Sequence, residues 1–271
     1  FGITIRLNHG ETRIYQYTNG SWVQMGDDIS GNIDSQTGNA VSLSDSGNRI
    51  AIGALTDYSG NDASESRGSV SVYDWNGTSW NIVGDKIYGE NLQDENGYSI
   101  DLNANGDILA IGAIKYDTEN IDVGQVRVYR YIDASGWTQI GSDIIGNNET
   151  DQTGTGVALS DDGTILAVGS AYVDPSNNGN ITMYEYSDAS GWSILGEPIL
   201  GLYVEGNSGF SLKLNSSGTI VAAGAPTTTD SSYGRVVVYE YSDSSWSKIN
   251  DRYNTTLIGG VNELFGYSID M

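Results

Sequence analysis

Carboxylates supply most of the chemistry this chain could perform. Asp34, Asp94, Asp151, Glu205 and Glu263 each stand three or four residues ahead of a glycine that opens a strand-like run. Asp57, Asp117, Asp174 and Asp230 each follow a second glycine by four to six residues. Oxygen-rich sets of this kind bind hard cations, and Ca²⁺ is the candidate here. The same acids can instead cap turns through their own backbone. Zinc-type sites are excluded, because the chain has no cysteine and one histidine, His9, set in an NHGE turn. Paired carboxylates ~5–10 Å apart could also hydrolyse glycosides. However, these acids recur in register, and no unit carries an acid–base set of its own. The expectation is that the protein is not an enzyme.

The acids hang on a repeat of four short strand-like runs joined by turn residues. In the first full copy the runs are AVSLS (40–44), RIAIGA (49–54), SVSVYDW (69–75) and SWNIVGDKI (79–87). A period in the fifties decides the whole fold. Trp22, Trp80, Trp137, Trp192 and Trp246 open the fourth run of five copies. The second run occurs four times, each with a glycine (Gly53, Gly112, Gly169, Gly224) that permits close backbone approach between packed sheets. Alternation in the third run gives each sheet two faces to cover, and neighbouring copies cover them. Radial closure then leaves only short, protected edges.

The expected fold is all-β: a β-propeller of four-stranded antiparallel blades, five in number, forming one domain over residues 1–271. The units are 38–96, 97–153, 154–208 and 209–264. A fifth is shared between the ends, residues 1–37 plus 265–271, and closes the ring. In that scheme residues 1–8 (FGITIRLN) fill the missing second strand, although they resemble the first-strand motif FGYSIDM more closely. The alternative is that both ends are cut from a longer array. The loops that carry the nine acids share one face of such a ring.

The balance of 12 basic against 35 acidic residues gives a net charge of −23. Such a field attracts neither nucleic acid nor an anionic membrane. No run approaches the ~20 apolar residues of a membrane-spanning helix, so direct membrane insertion is not expected. Six sequons, at Asn19, Asn76, Asn148, Asn180, Asn215 and Asn254, fall in or beside expected turns, where glycans are tolerated. They point to a glycoprotein that is extracellular or at the cell surface.

The run G-x-S/A-V/I-x-L-S/N-x-x-G-x-x-x-A-I/V-G-A/S, followed by a loop and G-x-V-x-V-Y, resembles the FG-GAP repeat of integrin-α-type propellers. Phe1-Gly2 and Phe265-Gly266 keep the FG pair. Gly-Ala stands at 53–54, 112–113 and 224–225, and Gly-Ser at 169–170. The resemblance implies a propeller, typically of seven blades, with a D-x-D-x-D-G calcium loop. That loop is absent here, where SDSGN and NANGD stand instead. The function expected from these features is a non-enzymatic structural or adhesion module that binds protein partners, or self-assembles, through its loop faces. A multivalent, lectin-like carbohydrate-binding propeller is the alternative.

Overall fold

A computed structural model describes residues 10–58, 65–172, 178–201, 206–226, 234–249, 256–260 and 264–271. The chain is an all-β propeller. Its four full blades run outward from Thr37–Leu43, Asn96–Leu102, Thr153–Leu159 and Ser211–Leu214. Every blade is an antiparallel meander in sequence order. The second strands, Arg49–Ala54, Ile108–Ala113, Ile165–Ser170 and Ile220–Ala225, are buried almost throughout. That burial on both faces is why they read as small and apolar.

The expected fourth strand is broken. In the first full blade it is Trp80–Ile82 and then Ile87–Tyr88, both paired with Ser69–Trp75. The break falls at Gly84, whose φ of 71° is cheap only for glycine. Gly141 and Gly196 repeat it at φ 73° and 76°.

The core lies between blades rather than within them. One cluster joins Ile181 and Met183 to Leu212, Val221 and Val237 of the next blade, and the other seams are built alike. The second-strand glycines sit where these faces meet. A Cβ on Gly53, Gly112, Gly169 or Gly224 would collide with the backbone carbonyl of Gly97, Gly154, Gly209 or Gly266 respectively. The close approach read from the sequence is thus found at all four positions.

A tryptophan fastens the outer part of four seams. The indole N–H of Trp80 donates to the Met25 carbonyl at 2.8 Å, Trp137 to Val83 at 3.0 Å, Trp192 to Ile140 at 3.1 Å and Trp246 to Leu195 at 3.0 Å. Each acceptor precedes a positive-φ glycine, and that glycine makes room for the ring. Trp192→Phe keeps most of the packing and loses the hydrogen bond. It should cost about 1 kcal/mol and lower Tm by about 2–4 °C; an unchanged melt would show the bond to be idle.

The N-terminal unit contributes Tyr15–Thr18 paired with Ser21–Gln24, and Glu11–Thr12 paired with Ile29–Ser30. The second strand expected from residues 1–8 lies outside the described residues. Gly266 meets Gly224 as Gly154 meets Gly112, so residues 265–271 occupy the first-strand position of that shared unit. They do so without forming a ladder among the described residues.

Candidate functional site

The acids singled out by spacing mostly serve the loops. Asp94 accepts the Asn91 amide at 2.6 Å, and Asp151 accepts those of Asn147 and Asn148 at 3.2 and 2.9 Å. Asp117 accepts the Asp122 amide at 2.7 Å. Asp34 is exposed, and its backbone carbonyl receives the Thr56 hydroxyl. Asp57 is fully buried and holds Asn32, Ser69 and Lys86 at 2.7, 2.7 and 2.8 Å. Asp174, Asp230, Glu205, Glu263 and His9 lie outside the described residues. Asp94 and Asp151 each keep one enclosed oxygen with no donor among the described residues. No three His, Asp or Glu side chains gather into a metal site among the described residues.

Burial pushes the Asp57 carboxyl up, but donation from Lys86, Ser69 and Asn32 outweighs it and holds the pKa below the usual carboxylate range. A depressed carboxylate pKa contributes stability above its unfolded value, lost as pH falls through the folded one. Lys86→Met strands a buried charge and should cost about 3 kcal/mol near neutrality. Because Asp57 then takes up a proton more easily, the deficit against wild type should shrink in denaturant melts on acidification. A deficit independent of pH would refute this ion pair as its source.

Of the sequons, Asn19, Asn76 and Asn148 are exposed in turns. The Asn215 carbonyl oxygen closes its own turn on the Thr219 and Ile220 amides. Asn180 begins the strand Asn180–Ser187 with its Oδ1 enclosed, a setting that disfavours a glycan. Asn254 is outside the described residues.

The chemistry that breaks the symmetry is in the central channel. The inner strands bring equivalent repeat positions into layers. The mouth carries Asn39, Tyr98, Thr155, Phe210 and Tyr267, lining a cavity of about 450 Å³. An apolar layer of Val41, Ile100, Val157, Leu212 and Ile269 follows, shared with a deeper cavity of about 500 Å³. Then one register of the repeat reads Ser42, Asp101, Ala158, Lys213 and Asp270. Leu43, Leu102, Leu159, Leu214 and Met271 close the layer below. Beneath them, backbone bonds link the turns of successive blades: Asp45 to Ala104, Ala104 to Asp161, and Asp161 to Ser216.

Asp101 is the centre of the polar layer. Its Oδ1 accepts from Ser42 Oγ at 3.1 Å and from Lys213 Nζ at 3.3 Å, and its Oδ2 from the Leu159 amide at 2.8 Å. Three other blades therefore converge on one carboxylate. Burial drives its pKa upward, against the pull of Lys213 and the two neutral donors. Asp270 and Arg13 line the same cavity. The guanidinium of Arg13 is occupied by Glu11 and, at 2.9 Å, by Asp28. A buried base beside an ammonium, walled by apolar layers, can activate water and stabilise a developing oxyanion. Spacing of acids in loops missed this set, because it sits inside an apolar strand motif. Laying the five first-strand runs in register would have exposed the change from Ser to Asp, Ala, Lys and Asp.

No protein-family model matches the sequence, and no curated protein matches it. Solved structures resemble the fold. A protein of Bacteroides fragilis NCTC 9343, provisionally assigned as a 6-phosphogluconolactonase, shares 10% identity at TM-score 0.62, over 97% of this chain and 68% of its own. One from Bacteroides uniformis ATCC 8492 with the same provisional assignment gives 11%, 0.56, 88% and 62%. The periplasmic gluconolactonase of Pseudomonas aeruginosa gives 11%, 0.57, 90% and 64%. The chain spans about two thirds of the length of these proteins, and the likeness establishes the propeller fold.

These findings correct the FG-GAP resemblance. The glycines and G-x-V-x-V-Y runs that carried it are what radial packing of blades requires, and they do not mark one family. The three similar structures carry lactonase assignments, two of them provisional, and this overturns the reading as a non-enzymatic adhesion or structural module, or a lectin, working through protein partners or self-assembly. That reading rested on equivalent blades; in the channel the blades are not equivalent. Four of the five serial tryptophans are moreover committed to blade seams.

Proposed function

We propose that the channel is the active site of a hydrolase that opens small cyclic esters of the sugar-lactone type. The observation that carries this is the Asp101–Lys213 pair in the channel, a buried carboxylate beside a partly exposed ammonium, built from one register of the repeat. A lactone needs only a base, a water and a stabilised oxyanion. Ionised Asp101 takes a proton from a water as its oxygen bonds to the ring carbonyl carbon. The Lys213 ammonium offsets the charge on the tetrahedral oxygen. When the ring C–O bond breaks, Asp101 returns its proton to the departing alkoxide, and a hydroxy acid leaves. Ser42 and the Leu159 amide hold the carboxylate in place.

The lactonase assignments of the similar propellers support the reaction class and differ over whether the substrate is phosphorylated. The periplasmic neighbour and the exposed sequons at Asn19, Asn76 and Asn148 support a location outside the cytoplasm. The test is a pH-indicator assay of purified protein with a panel of five- and six-membered lactones, each with and without chelator. Turnover above the spontaneous rate supports the proposal. Uncatalysed rates across the whole panel would end it.

A further inference from the structure

We infer that the channel mouth selects an uncharged, polyhydroxylated ring and rejects its phosphorylated counterpart; this specifies the substrate of the hydrolase reading and rests on it. The mouth layer has aromatic faces and neutral polar groups. Phe210 and Tyr267 pack with centroids 4.8 Å apart at 44°, from neighbouring units of the ring. Tyr98 lines the same cavity, and burial lifts its hydroxyl to about 12, so it stays neutral. Asn39 and Thr155 complete the layer with an amide and a hydroxyl. The C–H faces of a sugar ring suit such aromatic surfaces, and its hydroxyls suit the amide and hydroxyl.

A phosphate finds nothing there. No charged residue lines the mouth cavity among the described residues. The cations lining the deeper cavity are Arg13 and Lys213, and both are held by carboxylates. The net charge of −23 adds a repulsive field. Burying a phosphate without a counter-charge is costly.

The probes are a six-membered sugar lactam, a ring amide that resists hydrolysis, and the same lactam bearing a phosphate on its exocyclic carbon. Calorimetric titration of the full chain should show the neutral lactam binding at least about tenfold tighter. Phe210→Ala and Tyr267→Ala should each weaken it about tenfold with melting unchanged, and Phe210→Tyr should restore it. Equal or tighter binding of the phosphorylated lactam, indifference to both alanine variants, or no binding of either lactam overturns the inference. The two readings fail separately. Mouth-dependent binding without lactone turnover leaves this inference standing and removes the hydrolase. Lactone turnover without any lactam binding does the reverse.

Discussion

Asp101→Asn should abolish lactone opening, with kcat falling by about 10²–10⁴, while the protein stays folded. The two side chains are nearly isosteric, and the one amide oxygen can stay on the Leu159 amide while Ser42 Oγ turns to accept from the new NH2 group. What is lost is the base. The stability side follows from the direction of the shift. A carboxyl whose folded pKa is raised binds its proton more tightly in the native state, so its contribution is full at low pH and declines as pH rises through the folded value. The neutral amide escapes that decline, although it leaves Lys213 without its counter-charge, and the two effects oppose. Melting should therefore move little at pH 7. In the wild type, kcat/KM should rise with pH through the raised pKa of Asp101, above the ordinary carboxylate range. The acid limb should disappear in the residual activity of the variant. Lys213→Met is the companion: it should lower kcat by about 10²–10³ through loss of oxyanion stabilisation. Wild-type kcat in the Asn variant would exclude Asp101 as the base.

Gly112→Val should be the most damaging single substitution for the fold. A Cβ at Gly112 would meet the Gly154 carbonyl well inside contact distance and Ser99 Oγ at 2.5 Å. Ser99 Oγ itself donates to that carbonyl at 2.6 Å, so the hydroxyl cannot swing aside without loss. The obstacle is main chain of the next blade, at the irregular step between its Thr153 and Gly156 pairings. Relief requires two blades to part along a seam that buries Val126, Val157 and Val168. The expected cost is about 3 kcal/mol or more, read as a lowered denaturant midpoint. Gly77→Ala is the contrast. Nothing lies within 4 Å of its added Cβ, and the strain comes from its φ of 98° alone; about 1 kcal/mol is expected. Equal losses at the two sites would show that backbone strain, rather than the seam, sets the effect.

These two residues mark what could be read in the chain. Gly112 was legible because packing is repeated: the same glycine returns in four copies, and only a fold that presses sheets together needs it. Trp192 was legible for the same reason. The split outer strand was not, because a single glycine inside SWNIVGDKI is also compatible with a continuous strand, and only the positive φ at Gly84 shows the break. Asp101 was hidden by the opposite logic. Repetition advertises what blades share, and the proposed base stands in a register that varies from blade to blade: Ser42, Asp101, Ala158, Lys213 and Asp270. Asp94 and Asp151 drew notice because they recur, and they recur because each loop needs a cap. Asp57 kept the recurring position but acquired Lys86, which turned a loop acid into a buried ion pair.

The tryptophan latch has a consequence for how such a molecule can change over generations. The units 38–96, 97–153 and 154–208 each carry the donor (Trp80, Trp137, Trp192) on one flank and the acceptor, ahead of its positive-φ glycine (Gly84, Gly141, Gly196), on the other. The two halves of a seam are therefore encoded in each of these three copies. A duplicate of one arrives with both halves and can be spliced between two such neighbours without altering either. Blade number is free to drift by whole repeats, whereas the channel register of Ser42, Asp101 and Lys213 is not. Each insertion would rotate those three groups apart around a wider bore, so catalysis, rather than packing, would fix the count.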